Sequence, residues 1–253
     1  MFLDCCIRMR EPISIVISSY EHFDLTKRAV ESISQYETTK NDEIIIVDGG
    51  SSDDTRYGLK FLVDNTPREV RIIEMSSTGH PALARDRQAG RDSAREDWVL
   101  WMDNDTEWRY GDFVERLQEV WTSVPNVGAI QPQRINQKGS IYGACYHKKN
   151  LEYAGTNTEG IAMGMYPEGA CWMSHKSTFS QWEFDTSLRA FEDSDIGYQM
   201  WEKGLFVFCV NDVQVYHQQW ASGAWDYAAK HPECRRKVIK KWSSVSSRRR
   251  YQQ

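Results

Sequence analysis

The sequence predicts an α/β fold: one domain with a mostly parallel central sheet and helices on both faces. In the first half of the chain, apolar β-branched runs alternate with amphipathic segments across short connections, as in parallel strands joined by crossover helices. The chain has 253 residues, of which 40% are hydrophobic and 26% charged, a balance that suits one large globular domain. No apolar run approaches the roughly 20 residues that a membrane-spanning helix requires.

The first half of the chain should contain four strands and three helices. The predicted strands are runs of β-branched and aromatic residues, Ile13–Ser19, Glu43–Val47, Val70–Glu74 and Asp97–Met102. The predicted helices are Leu25–Tyr36 after an Asp24 N-cap, Asp53–Val63 with Ser52 or Asp53 as N-cap, and Pro81–Ala94. Parallel sheets bind ligands at the carboxyl ends of their strands, where Asp48 and Asp103 both lie.

The second half of the chain is less regular. Helices are expected at Asp112–Val124 and at Glu192–Lys203, where Gly204 would close the second helix. Strands are expected at Val127–Pro132, Leu205–Val210 and Val213–His217. The Gly- and Tyr-rich segment Asn136–Gly169 predicts loops or an antiparallel hairpin, and Ala221–Lys241 predicts a helix that Pro232 interrupts.

The charge of the chain is unevenly distributed. The net charge of −5 argues against a general nucleic-acid binder. Residues 234–253, however, hold eight Lys or Arg and no acid, whereas the rest holds 23 basic and 36 acidic residues. Three interpretations of this basic tail stay open: a solvated terminus, a membrane-surface anchor through Val238, Ile239 and Trp242, or a nucleic-acid contact.

The six cysteines do not suggest a zinc site, because none forms a C-x-x-C pair. Scattered cysteines in a chain of this size, together with the absence of a recognisable signal peptide, indicate reduced thiols and a cytoplasmic location. Peripheral membrane contact through the basic tail is the alternative.

Three acidic motifs could carry chemistry. Asp103-Asn104-Asp105 follows an apolar strand, and such carboxylates suit hard cations such as Mg²⁺ and Mn²⁺. Asp48 precedes Gly49-Gly50, where a ligand could approach the backbone closely. Glu192 and Asp193 open a helix, and an acid placed there can act as a general base. Each motif also has a purely structural interpretation, as a polar turn or a helix cap.

Taken together, the motifs resemble the nucleotide-sugar glycosyltransferases with the A-type fold, and family 2 in particular. The matching stretches, over roughly residues 12 to 217, are SIVISSY, EIIIVDGGSSDDT, ARDRQAGRDSAREDWVLWMDND, EFDTSL, FEDSDIGYQMWEKG and VYH. The resemblance implies a Rossmann-like catalytic domain over residues 1–217, with a nucleotide-binding half at about 12–105 and an acceptor half at about 106–217. A helical basic extension would follow over residues 218–253.

The resemblance also implies a donor site for a nucleotide sugar, usually a uridine diphosphate sugar. Asp48 would contact the uracil ring. Arg87 would lie near the base and phosphates, in an Arg-Gln pair where the family often has Arg-Asn; a solvated helix arginine is the alternative. The residues that would border the base and ribose are Ser18, Ser19, Tyr20, Asp103 and Asn104.

A divalent cation, Mn²⁺ or Mg²⁺, would complete this donor site. By resemblance, Asp105 would bind the ion directly and Asp103 would contact the ribose or a water on the ion. His217 lies where some relatives supply a further ligand, although a lone histidine at a strand end can also be structural. The ion would neutralise charge on the leaving diphosphate.

The same resemblance places catalysis at the Glu192-Asp193 pair. Asp193 would remove the proton from the acceptor hydroxyl, Glu192 would orient the acceptor or the sugar, and in-line displacement would invert the anomeric carbon. Four nearby aromatic residues either stack on a sugar or pack in the core: Trp172, Trp182, Phe191 and Trp201.

Two other classes of protein are alternatives to a glycosyltransferase. A non-catalytic nucleotide- or carbohydrate-binding protein on the same scaffold would need neither the aspartate motif nor the Glu-Asp pair. A nucleotidyltransferase would usually carry a basic Gly-rich loop after the first strand, where this chain has SSYEHFDL. The acceptor is open among a glycan, a lipid-linked saccharide and a modified DNA base.

Overall fold

A ten-stranded mixed sheet forms the centre of the molecule. The structure, a computed structural model, describes residues 10–36, 40–147, 153–155, 159–218 and 232–249. Its strands are β1 (Ile13–Ser19), β2 (Glu43–Asp48), β3 (Glu69–Glu74), β4 (Trp98–Asp103), β5 (Thr106–Glu107), β6 (Val127–Asn136), β7 (Ile141–Tyr142), β8 (Cys145–His147), β9 (Tyr153–Gly155), β10 (Ile161–Gly164), β11 (Cys171–His175) and β12 (Phe206–His217). Its α-helices are α1 (Phe23–Ser34), α2 (Asp53–Asn65), α3 (Leu83–Ser93), α4 (Val114–Ser123), α5 (Glu192–Glu202) and α6 (Pro232–Arg249).

The strand order is β10-β12-β6-β11-β4-β1-β2-β3. The block β4-β1-β2-β3 is parallel, and β12 runs parallel to β6. The two blocks are joined by β11, which is antiparallel to both β4 and β6. The short strands β5 and β7 pair with β12 and β6, while β8 and β9 form a separate two-stranded sheet. The prediction of a mostly parallel α/β sheet is confirmed.

Helices cover both faces of the sheet because the strands are apolar on both sides. On β1, Ile13, Ile15 and Ile17 pack with α1, α2 and α4, whereas Val16 points to the other face and packs with α3 and α5. The second face also holds the stacked rings of Trp101 and Trp172, whose centroids are 4.1 Å apart.

Most predicted elements of the first half are present, with shifted ends. Helix α1 begins at Phe23 and its N-cap position is His22, so the prediction of Asp24 as N-cap is wrong. Ser52 does occupy the N-cap position of α2, although its hydroxyl donates to Glu21 rather than capping the helix.

Two features of the second half differ from the sequence prediction. Strand β11, which completes the sheet, was not predicted. The two strands predicted at Leu205–Val210 and Val213–His217 are one strand, β12, with a register shift between Val210 and Gln214. The ambiguous segment Asn136–Gly169 contains strands β7 to β10.

The basic C-terminal segment forms helix α6, which packs against α5. Pro232 is the first residue of this helix, a position that suits a residue without an N–H. Residues 221–231 of the predicted helix lie outside the described residues. Val238 is fully buried, and the ring of Trp242 stacks on Tyr198 with a centroid separation of 5.8 Å.

Hydrogen bonds to a buried aspartate of α5 hold α6 in place. The carboxylate of Asp195 is fully buried and accepts hydrogen bonds from the indole Nε1 of Trp242 at 2.6 Å and from Nζ of Lys241 at 2.9 Å. Lys237 pairs with Asp185 at 3.1 Å. The interpretation of this segment as a solvated terminus is therefore wrong for its first turns. Val238 and Trp242, which a membrane anchor would need, are buried against α5.

Among the described residues, no helix is both long and apolar enough to cross a membrane. Four cysteines, Cys145, Cys171, Cys209 and Cys234, are free thiols. Cys5 and Cys6 lie outside the described residues.

The Asp195–Trp242 contact predicts a specific loss of stability. Trp242→Phe keeps an aromatic ring on Tyr198 but removes the only N–H that the indole offers, and so leaves a buried carboxylate oxygen without its donor. We expect the free energy of unfolding to fall by about 1.5–3 kcal/mol, measured by urea denaturation. Trp121→Phe, in the half-buried edge contact of α4 with Trp98, is the matched control and should cost less. Equal losses for the two variants would contradict the role given to this hydrogen bond.

Candidate active site

The carboxyl ends of β1, β2 and β4 meet at one edge of the sheet and open into a cleft. The parallel register places Ser18 beside Asp103 and Ser19 beside Asp48. The cleft is lined by Ser18, Ser19, Tyr20, Pro81, Leu83, Asp86, Asp103 and Asn104. Five of the predicted donor-site residues are thus brought together on this surface.

Two polar side chains of the cleft differ in how well they are satisfied. The amide Nδ2 of Asn104 donates to Oγ1 of Thr26 at 3.2 Å. The hydroxyl of Ser18 is buried and, among the described residues, has no hydrogen-bond partner. Because such a group is costly to leave unpaired, the Ser18 hydroxyl is suited to a ligand that supplies a partner.

Asp48 lies beneath the cleft and stabilises the turn after β2. Its side chain is fully buried; Oδ1 accepts the backbone N–H of Ser51 at 3.0 Å, and Oδ2 lies 3.2 Å from Nε of Arg56. Gly50 adopts a φ of 97° in this turn, a value that L residues rarely reach. In this structure both oxygens of Asp48 are therefore held by the protein itself.

Asp86 is a cleft residue that the sequence analysis missed. It projects from the first turn of α3, and its Oδ1 accepts from Nε of Arg85 at 2.9 Å. Burial raises the pKa of Asp86 to about 6; Arg85 opposes this rise and the charge of Asp48 adds to it. The available signal was spacing: Asp86 lies four residues before Gly90, the glycine through which α3 contacts β1.

A cluster of three potential metal ligands lies beside the cleft. One ligand atom from each of Asp103, Asp105 and His217 lies within 4.8 Å of the others. The pairing of β5 with β12 places His217 opposite Thr106, which brings the ends of β4 and β12 together. Nε2 of His217 lies 3.1 Å from Oδ1 of Asp105. Two carboxylates and an imidazole form a donor set that fits Mn²⁺, while Mg²⁺ prefers oxygen ligands alone.

Burial and the surrounding charges shift the pKa values of Asp103 and His217. Burial raises the pKa of Asp103 to about 6; Arg87 lowers it and Asp105 raises it further. Burial alone would lower the pKa of His217, but the hydrogen bond and charge of Asp105 raise it above its usual value.

Arg87 joins the metal-ligand cluster to the predicted catalytic pair. Its side chain is only 1% exposed. One Nη donates to Glu192 at 2.5 Å, and the other donates to Asp103 at 2.6 Å and to the carbonyl of Gly169 at 2.9 Å. The alternative of a solvated helix arginine is therefore excluded. The geometry places the guanidinium between two carboxylates that come from different elements, β4 and α5.

Asp193 lies next to this bridge in the first turn of α5. Its Oδ1 accepts the backbone N–H of Ser194 at 2.6 Å. Burial raises the pKa of Asp193 to about 7; the charge of Glu192 also raises it, and Arg87 lowers it. Phe191, directly before α5, has a φ of 66°, a left-handed conformation that sets the direction in which the helix begins.

Glu168 is a second acid that the sequence analysis missed. Its Oε1 lies 2.7 Å from Arg134, and its Oε2 accepts the backbone N–H of Ala170 at 3.2 Å. Its charge contributes to the raised pKa values of Asp103 and Asp193. No motif marked it, because Glu168 lies in the irregular segment before β11.

The aromatic residues near the acid pair belong to the core. Trp172 is fully buried and Trp182 is 3% exposed, and both pack around Trp101. Phe191 and Trp201 are half-buried against the α5–α6 contact. For Trp172 and Trp182, core packing is the interpretation that the structure supports.

Comparison with known sequences identifies the family. The family described as Glycosyl transferase family 2 matches residues 14–179, a span that begins within β1, includes β2 to β11 and ends before α5. An uncharacterized glycosyltransferase of Nostoc sp. (strain PCC 7120) is 24% identical over 201 residues, 78% of this chain and 58% of the relative. The chain thus spans a little more than half the length of that relative.

Solved structures share the fold. A structure of GalNAc-T7 with UDP, GalNAc and Mn²⁺ aligns with a TM-score of 0.67 at 16% identity, over 82% of this chain and 44% of the other. The mannosyltransferase PcManGT from Pyrobaculum calidifontis, in complex with GDP-Man and Mn²⁺, aligns with a TM-score of 0.61 at 16% identity, over 84% of this chain and 59% of the other. Identities this low establish the fold alone. With the sequence match over residues 14–179, they show that this chain belongs to glycosyl transferase family 2 and has the A-type fold.

Proposed function

We propose that this chain transfers a sugar from a nucleotide-sugar donor to an acceptor hydroxyl, with inversion at the anomeric carbon and with a divalent cation in the site. The observation that carries the proposal is the Arg87 bridge. It holds Asp103, at the donor side, and Glu192, beside the proposed base, on one guanidinium. A protein that only binds nucleotides does not require an acid pair fixed next to its metal ligands.

The donor side is assigned to the cleft and the metal-ligand cluster. Ser18, Ser19, Tyr20 and Asn104 would border the base and ribose. The hydroxyl of Ser18, which has no hydrogen-bond partner among the described residues, is available to a ribose hydroxyl. Asp103, Asp105 and His217 would hold Mn²⁺, since their donor atoms converge and their chemistry fits that ion. A cation bound there would offset the charge that develops on the leaving diphosphate. Uridine diphosphate sugars are the first donors to test.

The acceptor side is assigned to the start of α5. Asp193 would accept the proton of the acceptor hydroxyl as that oxygen bonds to the anomeric carbon and the bond to the diphosphate breaks. A base with a pKa of about 7 is well matched to neutral pH, because a useful fraction is ionised and still binds a proton firmly. Glu192, fixed by Arg87, would orient the acceptor or the sugar. Attack opposite to the leaving diphosphate gives inversion.

The metal assignment predicts a binding defect. Asp105→Asn keeps the shape of the buried side chain but removes its charge. We expect Mn²⁺ affinity in the presence of uridine diphosphate to fall by at least about 100-fold, more than the loss typical of outer-shell changes. Electron paramagnetic resonance of free Mn²⁺ measures it directly. Asp92→Asn, an exposed aspartate of α3 bonded to Gln88, is the control and should bind as the native chain does. Unchanged affinity in Asp105→Asn would contradict the assignment.

The base assignment predicts both a rate and a pH profile. Asp193→Asn should lower kcat by about 10²–10⁴-fold while leaving nucleotide affinity within about twofold. In the native chain, kcat should rise with pH and level off above about 7, because protonated Asp193 cannot accept the acceptor proton. This rising limb should be missing in the variant. Nucleotide release with and without acceptor, measured from pH 5 to 9, tests both effects.

Two outcomes would contradict that assignment. A variant that keeps native kcat would remove Asp193 from catalysis. A rising limb that persists unchanged in Asp193→Asn would assign the titration to another group, since the pKa values of Asp86 and Asp103 are also raised, to about 6.

A further inference from the structure

The turn at residues 168–170, directly before β11, holds the backbone of the aspartate motif Asp103-Asn104-Asp105. The carbonyl of Ala170 accepts two hydrogen bonds, from the backbone N–H of Asp103 at 3.0 Å and from the hydroxyl of Thr106 at 3.0 Å. These donors stand at the first residue of the motif and directly after its last. One carbonyl therefore fixes both ends of the segment that carries two of the proposed metal ligands.

The preceding carbonyl of the same turn contacts the buried bridge. The carbonyl of Gly169 accepts from Nη2 of Arg87 at 2.9 Å. A Cβ added at Gly169 would lie only 3.1 Å from that nitrogen, so the guanidinium packs directly against the turn. Arg87 in turn donates to Glu192, beside the proposed base. The position of the turn therefore affects both the donor side and the acceptor side of the candidate site.

Glu168 fixes the conformation of this turn. Its Oε2 accepts the backbone N–H of Ala170 at 3.2 Å, while its own backbone N–H donates to Oε1 of Gln131 at 2.7 Å. Its Oε1 lies 2.7 Å from Nη1 of Arg134, and its side chain is 18% exposed. Gln131 and Arg134 both belong to β6, a central strand of the sheet. One residue thus connects the turn to the sheet through its backbone and through its carboxylate.

Glu168 lies outside the metal-ligand cluster, and both of its oxygens already have protein partners. We propose that Glu168 is a positioning residue: it holds the turn so that the Gly169 carbonyl meets Arg87 and the Ala170 carbonyl meets the aspartate motif. This inference rests on the proposed function and adds to it a residue that belongs to none of the acidic motifs.

The first test observes the turn itself and requires neither metal nor substrate. Glu168→Ala removes the contacts to Ala170 and Arg134, so the Ala170 carbonyl should protect the amide of Asp103 less well. We expect hydrogen exchange at the Asp103 amide of the metal-free chain to become about tenfold faster, measured by NMR. Glu168→Gln should give a smaller increase, because its amide oxygen still accepts one hydrogen bond. The amides of β1 should exchange as in the native chain.

The second test measures metal affinity in the presence of uridine diphosphate, by electron paramagnetic resonance of free Mn²⁺. Glu168→Ala should weaken Mn²⁺ binding by about 10–100-fold, the loss typical of residues that orient metal ligands. Glu168→Gln should recover part of that loss. Glu183→Ala, an exposed glutamate before α5, is the matched control and should leave both exchange and affinity unchanged.

Three outcomes would overturn the inference. The first is exchange at the Asp103 amide that is no faster in Glu168→Ala than in Glu183→Ala. The second is faster exchange at Asp103 and at the β1 amides alike, which would assign Glu168 to the stability of the whole fold. The third is faster exchange at Asp103 alone with Mn²⁺ affinity within about twofold of native.

Failure of the proposed function gives a different result. A native chain that binds no Mn²⁺ in the presence of uridine diphosphate contradicts the proposed donor site. The exchange rates of the metal-free chain then still decide whether Glu168 holds the turn, because that measurement depends on the hydrogen bond between Asp103 and Ala170 alone.

Discussion

A buried guanidinium holds the candidate active site together. Arg87 has no significant access to water, and its two Nη groups donate to Asp103 on one side and to Glu192 on the other. A buried arginine is tolerated only when its charge is compensated, and the carboxylates would repel each other without it. The arginine and the two acids therefore require one another. Their mutual dependence ties strand β4, at the donor side, to helix α5, at the acceptor side.

The C-terminal helix α6 compensates a second buried charge, on the side of α5 away from Arg87. Asp195, in the first turn of α5, is fully buried. Lys241 of α6 balances its charge, and the indole of Trp242 donates a hydrogen bond to it. The first turn of α5 is thus held from inside by Arg87 and from outside by α6. Two lysines of the basic tail serve internal pairs with Asp185 and Asp195. Part of the charge contrast between body and tail is therefore structural, which the sequence alone cannot separate from a role in binding an acceptor.

The sequence predicts the strands and helices that follow from the local pattern of residue types. It misses those that depend on contacts with parts of the chain distant in sequence. Strands β1, β2 and β4 follow from their β-branched and apolar composition, and their ends locate Asp48 and Asp103. Strand β11, with the sequence CWMSH, carries no clear period; it is a strand because β4 and β6 offer edges on both sides. The sequence of helix α6 resembles a polar tail because its buried face is only a narrow stripe, formed by Cys234, Val238 and Trp242.

Asp48 and Asp86 show that the local pattern is also insufficient to predict the role of a single residue. Position after a strand singles out Asp48, yet its oxygens stabilise the turn and the start of α2. Asp86 follows no motif, yet it lines the cleft, with Oδ1 held by Arg85 and Oδ2 packed against Gly49. Whether a carboxylate can bind a ligand depends on how many of its acceptor positions the fold has already filled. That number is set by Ser51 and Arg56 for Asp48, and by Arg85 for Asp86. Arg85 is in turn held by the carbonyl of Gly49, 36 residues away, and the pattern at one position cannot supply such contacts.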